Sequence, residues 1–81
     1  MRYEILKYSR IRDIRNDKDY SQSLVAKQLD IAQSTLSQYE IGERRIPGEV
    51  LAKLALFYDT SVDYLLGLTD ELKPYPRKRL K

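Results

Sequence analysis

Gln33, Ser34, Ser37 and Gln38 bring two amides and two hydroxyls close together, with no charge among them. Residues three and four apart are neighbours on a helix, so the four share its outer side. A solvated helix face ordinarily carries Lys and Glu. Short hydrogen-bonding side chains suit a different surface, the edges of base pairs: Gln can pair bidentately with adenine, and Ser can donate to or accept from any base. On these residues alone, an idle polar surface fits equally well. Other chemistries have less to work with. The chain holds neither His nor Cys, which removes disulfides, the common zinc sites, and imidazole or thiol catalysis. The carboxylates are not clustered, so no catalytic site can be assembled. The sequence therefore predicts no enzyme, no metal and no cofactor.

Positioning that face requires two short helices. Ser21 is a good N-cap, because its hydroxyl can accept from a free amide of the first turn. Val25, Ala26 and Leu29 form one apolar stripe behind it. Asp30 stands where the helix must stop abruptly in the left-handed region, which Asp tolerates better than most residues. Ile31 then points inward. A second helix starts near Ala32, with Leu36 and Tyr39 on its inner side. Over about residues 21–41 this is a helix-turn-helix unit, whose second helix enters the major groove.

The remaining chain supplies the support. A first helix is predicted over residues 1–17, with Tyr8, Ile11 and Ile14 inward and Ile5 or Leu6 extending the stripe. Tyr20 precedes the Ser21 cap, where a hydrophobic residue often staples the helix entry. Gly42 is placed for a C-cap, and Pro47 restarts the chain into a helix over about 48–58. Val50, Leu51, Leu54, Ala55 and Tyr58 form its inner stripe. Ser61 caps a short fifth helix over 62–66, closed by Gly67, with Val62, Leu65 and Leu66 completing the core. Exposure of Tyr64 and Leu68 would leave an apolar patch for self-association; an ordinary core edge is the alternative. Pro74 and Pro76 break any further helix. The expectation is an all-α chain of five helices, a domain over residues 1–71 and a basic, mobile tail over 72–81.

Three stretches carry a family resemblance: RIRDIRNDKDYSQ from Arg10, VAKQLDIAQSTLSQYEIGERRIP from Val25 and LAKLALFYDTSVDYLLG from Leu51. Over roughly residues 8–68 the chain resembles the Xre family, the Cro and lambdoid-repressor type of helix-turn-helix domain. It departs from the family pattern at Ala32, where a side-chain cap is usual, and at Asp19 and Asp30, where Gly is common. The resemblance implies a compact five-helix lambda-repressor-like fold that binds double-stranded DNA. Gln33, Ser34, Ser37 and Gln38 would contact bases. Gln22 matches the family's phosphate-binding Gln, which also braces the first residue of the recognition helix. Arg15 and Glu40 match an ion pair between the first helix and the end of the recognition helix. Thr35 is a further phosphate candidate. Arg44 and Arg45, adjacent cations just beyond that helix, suit phosphates in the same way; a solvated loop is the alternative, and phosphate contact is expected for at least one of them.

Charge sets the competing possibility. Formal net charge is +3, but residues 72–81 hold five cations and no acid. Without them, ten basic residues face twelve acidic ones, a net of −2. Bulk charge therefore does not argue for a nucleic-acid partner, and the basic groups must be clustered locally. The leading expectation is a sequence-specific transcriptional regulator of phage-repressor or mobile-element type, a homodimer on a palindromic operator. The alternative is a protein-interaction module on the same fold, such as an antitoxin or adaptor. No apolar run approaches a membrane span and no signal peptide is visible, so a bacterial cytoplasmic, nucleoid-associated protein is expected.

Overall fold

The computed structural model describes residues 10–76. Five helices follow one another: α1 (Ile11–Asp17), α2 (Gln22–Leu29), α3 (Gln33–Glu40), α4 (Gly48–Tyr58) and α5 (Val62–Leu65). Among the described residues there is no strand. Ile11, Ile14, Val25, Ala26, Leu29, Leu36, Tyr39, Leu54, Ala55, Tyr58 and Leu65 form one buried core, to which every helix contributes. Tyr20 enters beneath α2 and stacks at 6.5 Å from Tyr58, while Phe57 meets both rings. Helices α2 and α3 pack on each other, and α4 supports both α2 and α5.

All five helices close in the same way. A residue in the left-handed region follows each one: Asp19, Asp30, Gly42, Asp59 and Gly67. In each case its amide and the next one reach back to carbonyls of the last turn. For α2, Asp30 N–H donates to Lys27 O and Ile31 N–H to Ala26 O. For α4, Asp59 N–H donates to Leu56 O and Thr60 N–H to Ala55 O. This is the Schellman closure, which satisfies carbonyls that the helix itself leaves open. Two helices also have side-chain starts. Ser21 Oγ accepts from Leu24 N–H at 3.1 Å, and Ser61 Oγ accepts from Tyr64 N–H at 3.0 Å. Ala32 provides α3 with no side-chain cap.

At both ends of the described stretch the structure adds contacts that the sequence does not indicate. Helix α1 begins at Ile11, because Arg10 leaves helical geometry and directs its N–H to Leu65 O at 2.7 Å. The Arg10 side chain lies over the Tyr64 ring, 4.4 Å from its centroid, and bonds to Thr69 O and Asp70 Oδ1. One residue thus clasps the start of α1 to the end of α5. The expected contributions of Ile5, Leu6 and Tyr8 lie outside the described residues. Residues 72–76, assigned by sequence to the tail, turn back on the α4–α5 corner. Thr60 Oγ1 donates to Leu72 O, and Tyr75 OH donates to Asp63 Oδ2 at 2.6 Å. Arg77, Lys78, Arg79 and Lys81 lie outside the described residues. Leu68 is exposed, whereas Tyr64 is half-covered beneath Arg10.

Candidate nucleic-acid interface

Leu36 and Tyr39 anchor α3 in the core through one side of the helix. Glu40 is also buried, although it is charged. The opposite side therefore faces out by helical geometry. Gln33, Ser34 and Gln38 are exposed there, while Thr35 and Ser37 are half-buried at its flanks. Arg44 and Arg45 lie exposed just past the end of α3. Glu40 is the one ionisable carboxylate of the helix, so its outer side carries no formal charge.

Beneath this side runs a polar network. Arg15 Nε donates to Glu40 Oε2 at 2.6 Å and Nη2 to Oε1 at 3.0 Å, a bidentate fork. Its Nη1 donates to Tyr20 O at 2.8 Å. Only 12% of the Arg15 side chain and 1% of the Glu40 side chain are exposed. The hydrogen bond to Glu40 holds the Arg15 guanidinium above its ordinary pKa, against the opposing effect of burial. Two charges taken out of water need such geometry, since desolvation otherwise outweighs their attraction.

The network extends to the outer face. Gln22 Nε2 donates to Glu40 Oε1 at 3.0 Å. Gln33 Nε2 then approaches Gln22 Oε1 at 3.5 Å, the outer limit of a hydrogen bond. Gln22, Gln33, Arg15 and Glu40 are thus joined across α1, α2 and α3. At the far end of α3, Arg44 Nη1 donates to Gln38 Oε1 at 3.3 Å. Ser34, Ser37, Thr35 and Arg45 are not joined to this network by any hydrogen bond between side chains. Local sequence patterns do not reveal the Gln22–Glu40 contact, which spans 18 residues, or Tyr20 O as a third partner of Arg15.

No grouping of three or more acidic side chains among the described residues could hold a metal ion. No described helix is long and apolar enough to cross a membrane.

The geometry agrees with what comparison finds. Residues 11–65 match a family model described as Helix-turn-helix. Three relatives come from Bacillus subtilis (strain 168). The uncharacterized HTH-type transcriptional regulator YobD is 40% identical over 73 residues, covering 89% of this chain and 65% of the relative. The HTH-type transcriptional regulator AnsR is 40% identical over 68 residues, 84% of this chain and 59% of the relative. The HTH-type transcriptional regulator ImmR is 38% identical over 58 residues, 72% of this chain and 46% of the relative. The chain thus spans about half to two-thirds of the length of these relatives. No solved structure matches it.

Proposed function

This chain belongs to the Xre-type helix-turn-helix family, and from that premise we propose that it is a sequence-specific double-stranded-DNA-binding transcriptional regulator. Helix α3 enters the major groove, where Gln33, Ser34, Ser37 and Gln38 meet base edges. Gln22, Thr35, Arg44 and Arg45 contact phosphates on either side and set the register without reading sequence. The protein works in the cytoplasm as a homodimer on a palindromic operator, in the manner of a phage or mobile-element repressor, with half-sites about 34 Å apart. One observation carries this reading: a helix anchored from below by a buried ion pair presents an uncharged row of amides and hydroxyls. The alternative, a protein-interaction module, draws on the net charge of −2 over residues 1–71. Binding to DNA that is insensitive to salt would favour it, because phosphate contacts release counterions.

The test is a ratio. A site is first selected from a random duplex pool, and affinity is then measured for that site and for random DNA at one salt concentration. Gln33→Ala should cost about 1–3 kcal/mol on the selected site and almost nothing on random DNA. Arg45→Ala should weaken both by a similar factor, since every sequence offers the same phosphates. An unchanged ratio for alanine at each of Gln33, Ser34, Ser37 and Gln38 would remove α3 as the reading helix.

A further inference from the structure

We propose that Arg44, beyond its phosphate contact, determines specificity through Gln38: one of its N–H groups holds the carbonyl of Gln38, turns that amide's NH2 toward the groove, and so selects a base that offers acceptors without a neighbouring donor, guanine before thymine. The proposal rests on the reading of α3 as the base-contacting helix.

The argument is one of donors and acceptors. A guanidinium has five N–H donors and no acceptor, so only the oxygen of an amide can face it. Arg44 Nη1 meets Gln38 Oε1 at 3.3 Å. The opposite orientation would set NH2 against N–H. The backbone brings the two together. Gly42 follows α3 in the left-handed region, and Glu43 N–H donates to Gln38 O at 2.9 Å. That closure folds the chain back, so Arg44 lies beside a residue six positions earlier.

The same logic gives Gln33 the other polarity. The Glu40 carboxylate accepts only, so Gln22 must offer it Nε2. Gln22 therefore presents Oε1 to Gln33, which answers with one N–H. Gln33 keeps its carbonyl and a second N–H, the pair that matches adenine N6–H and N7. Gln38 has one lone pair of its carbonyl engaged, which turns the oxygen toward Arg44 and leaves the NH2 as the leading group. An adenine opposite it offers N7 but sets N6–H2 against the amide N–H groups, whereas guanine offers O6 and N7 together and thymine offers O4 with no donor beside it. Two identical side chains on one helix are thus set to read different bases.

The experiment selects sites from a random duplex pool with the full chain, as wild type, Gln38→Ala and Arg44→Met. Methionine keeps an unbranched stem and removes the donors, and at this exposed position the thermal midpoint should stay within a few degrees. Gln38→Ala should erase preference at one position, which identifies the base it faces. Wild type should select guanine or thymine there. In Arg44→Met, the preference for that base over adenine should fall on the order of tenfold at that position alone. Adenine or cytosine there in the wild type overturns the proposal. So does Arg44→Met with that preference intact, or Gln38→Ala with every position unchanged. In those outcomes α3 still reads bases through its other residues. Failure of the wild type to enrich any sequence overturns base reading itself, and the proposal with it.

Discussion

At Glu40, a carboxylate with almost no exposed surface must be neutralised where it sits. Arg15 supplies two donors and Gln22 a third, so both oxygens are satisfied. Removing one member of such a pair leaves the other buried and uncompensated, which costs far more than losing a surface ion pair. Glu40→Gln keeps the shape and removes the charge. It should lower stability by about 2–4 kcal/mol without any DNA present. In a domain of this size that lowers Tm on the order of 10 °C or more. A melt unchanged from wild type would mean that Arg15 is solvated in some other way. Because Gln22 also depends on Glu40, the variant should additionally loosen the amide that meets Gln33.

Among the elements, α3 starts without a side-chain cap, as α1 and α4 also do. Ala32 occupies the N-cap in extended geometry, φ −69° and ψ 146°, but offers no acceptor to the first-turn amides. The same backbone geometry with a serine does cap α2 and α5. Ala32→Ser should therefore stabilise the domain by about 1 kcal/mol, a rise of roughly 4–8 °C in Tm. Helix α4 supplies a pH dependence. Burial, aided by the nearby charge of Glu40, raises the Tyr58 phenol above its ordinary value. A group whose pKa is higher folded than unfolded contributes stability that is whole below the unfolded pKa, about 10, and is lost as pH rises beyond it. The domain should thus lose stability above about pH 10, and Tyr58→Phe should make that decline shallower. Urea midpoints at pH 9 and pH 11 for the two proteins would show parallel losses if Tyr58 were not responsible.

For the molecule as a whole, charge is uneven along the chain. Residues 77–81 hold four of the fifteen basic side chains, while the rest is close to balanced. Truncation after Pro76 is the cleaner experiment than removal of residues 72–81, because Leu72 O and Tyr75 OH bond to Thr60 and Asp63. If those four cations contact phosphates, their loss should flatten the slope of log K against log salt by about 0.9 per contact. Affinity for random and selected DNA should then fall together, since every sequence offers the same phosphates. A slope unaltered by the truncation would separate the tail from DNA altogether.

Short-range rules were enough for much of this chain. Ser21 and Ser61 as caps, Asp30 in the left-handed region, Gly42 past α3, and the apolar stripes of α2 and α4 depend on residues within about four or five positions. The uncharged outer side of α3 follows from the same periodicity once Leu36 and Tyr39 are placed inward. Arg10 shows where that reasoning stops. Its local pattern continues a helix, yet contacts 54 to 60 residues away draw its amide to Leu65 and its side chain to Tyr64, Thr69 and Asp70. Likewise, nothing near Gln38 in the sequence indicates that its carbonyl is taken by Arg44, or that Glu40 orients Gln22. Which groups a helix exposes is periodic and local. Which way an exposed amide points depends on donors and acceptors that only the folded chain brings within 3.5 Å.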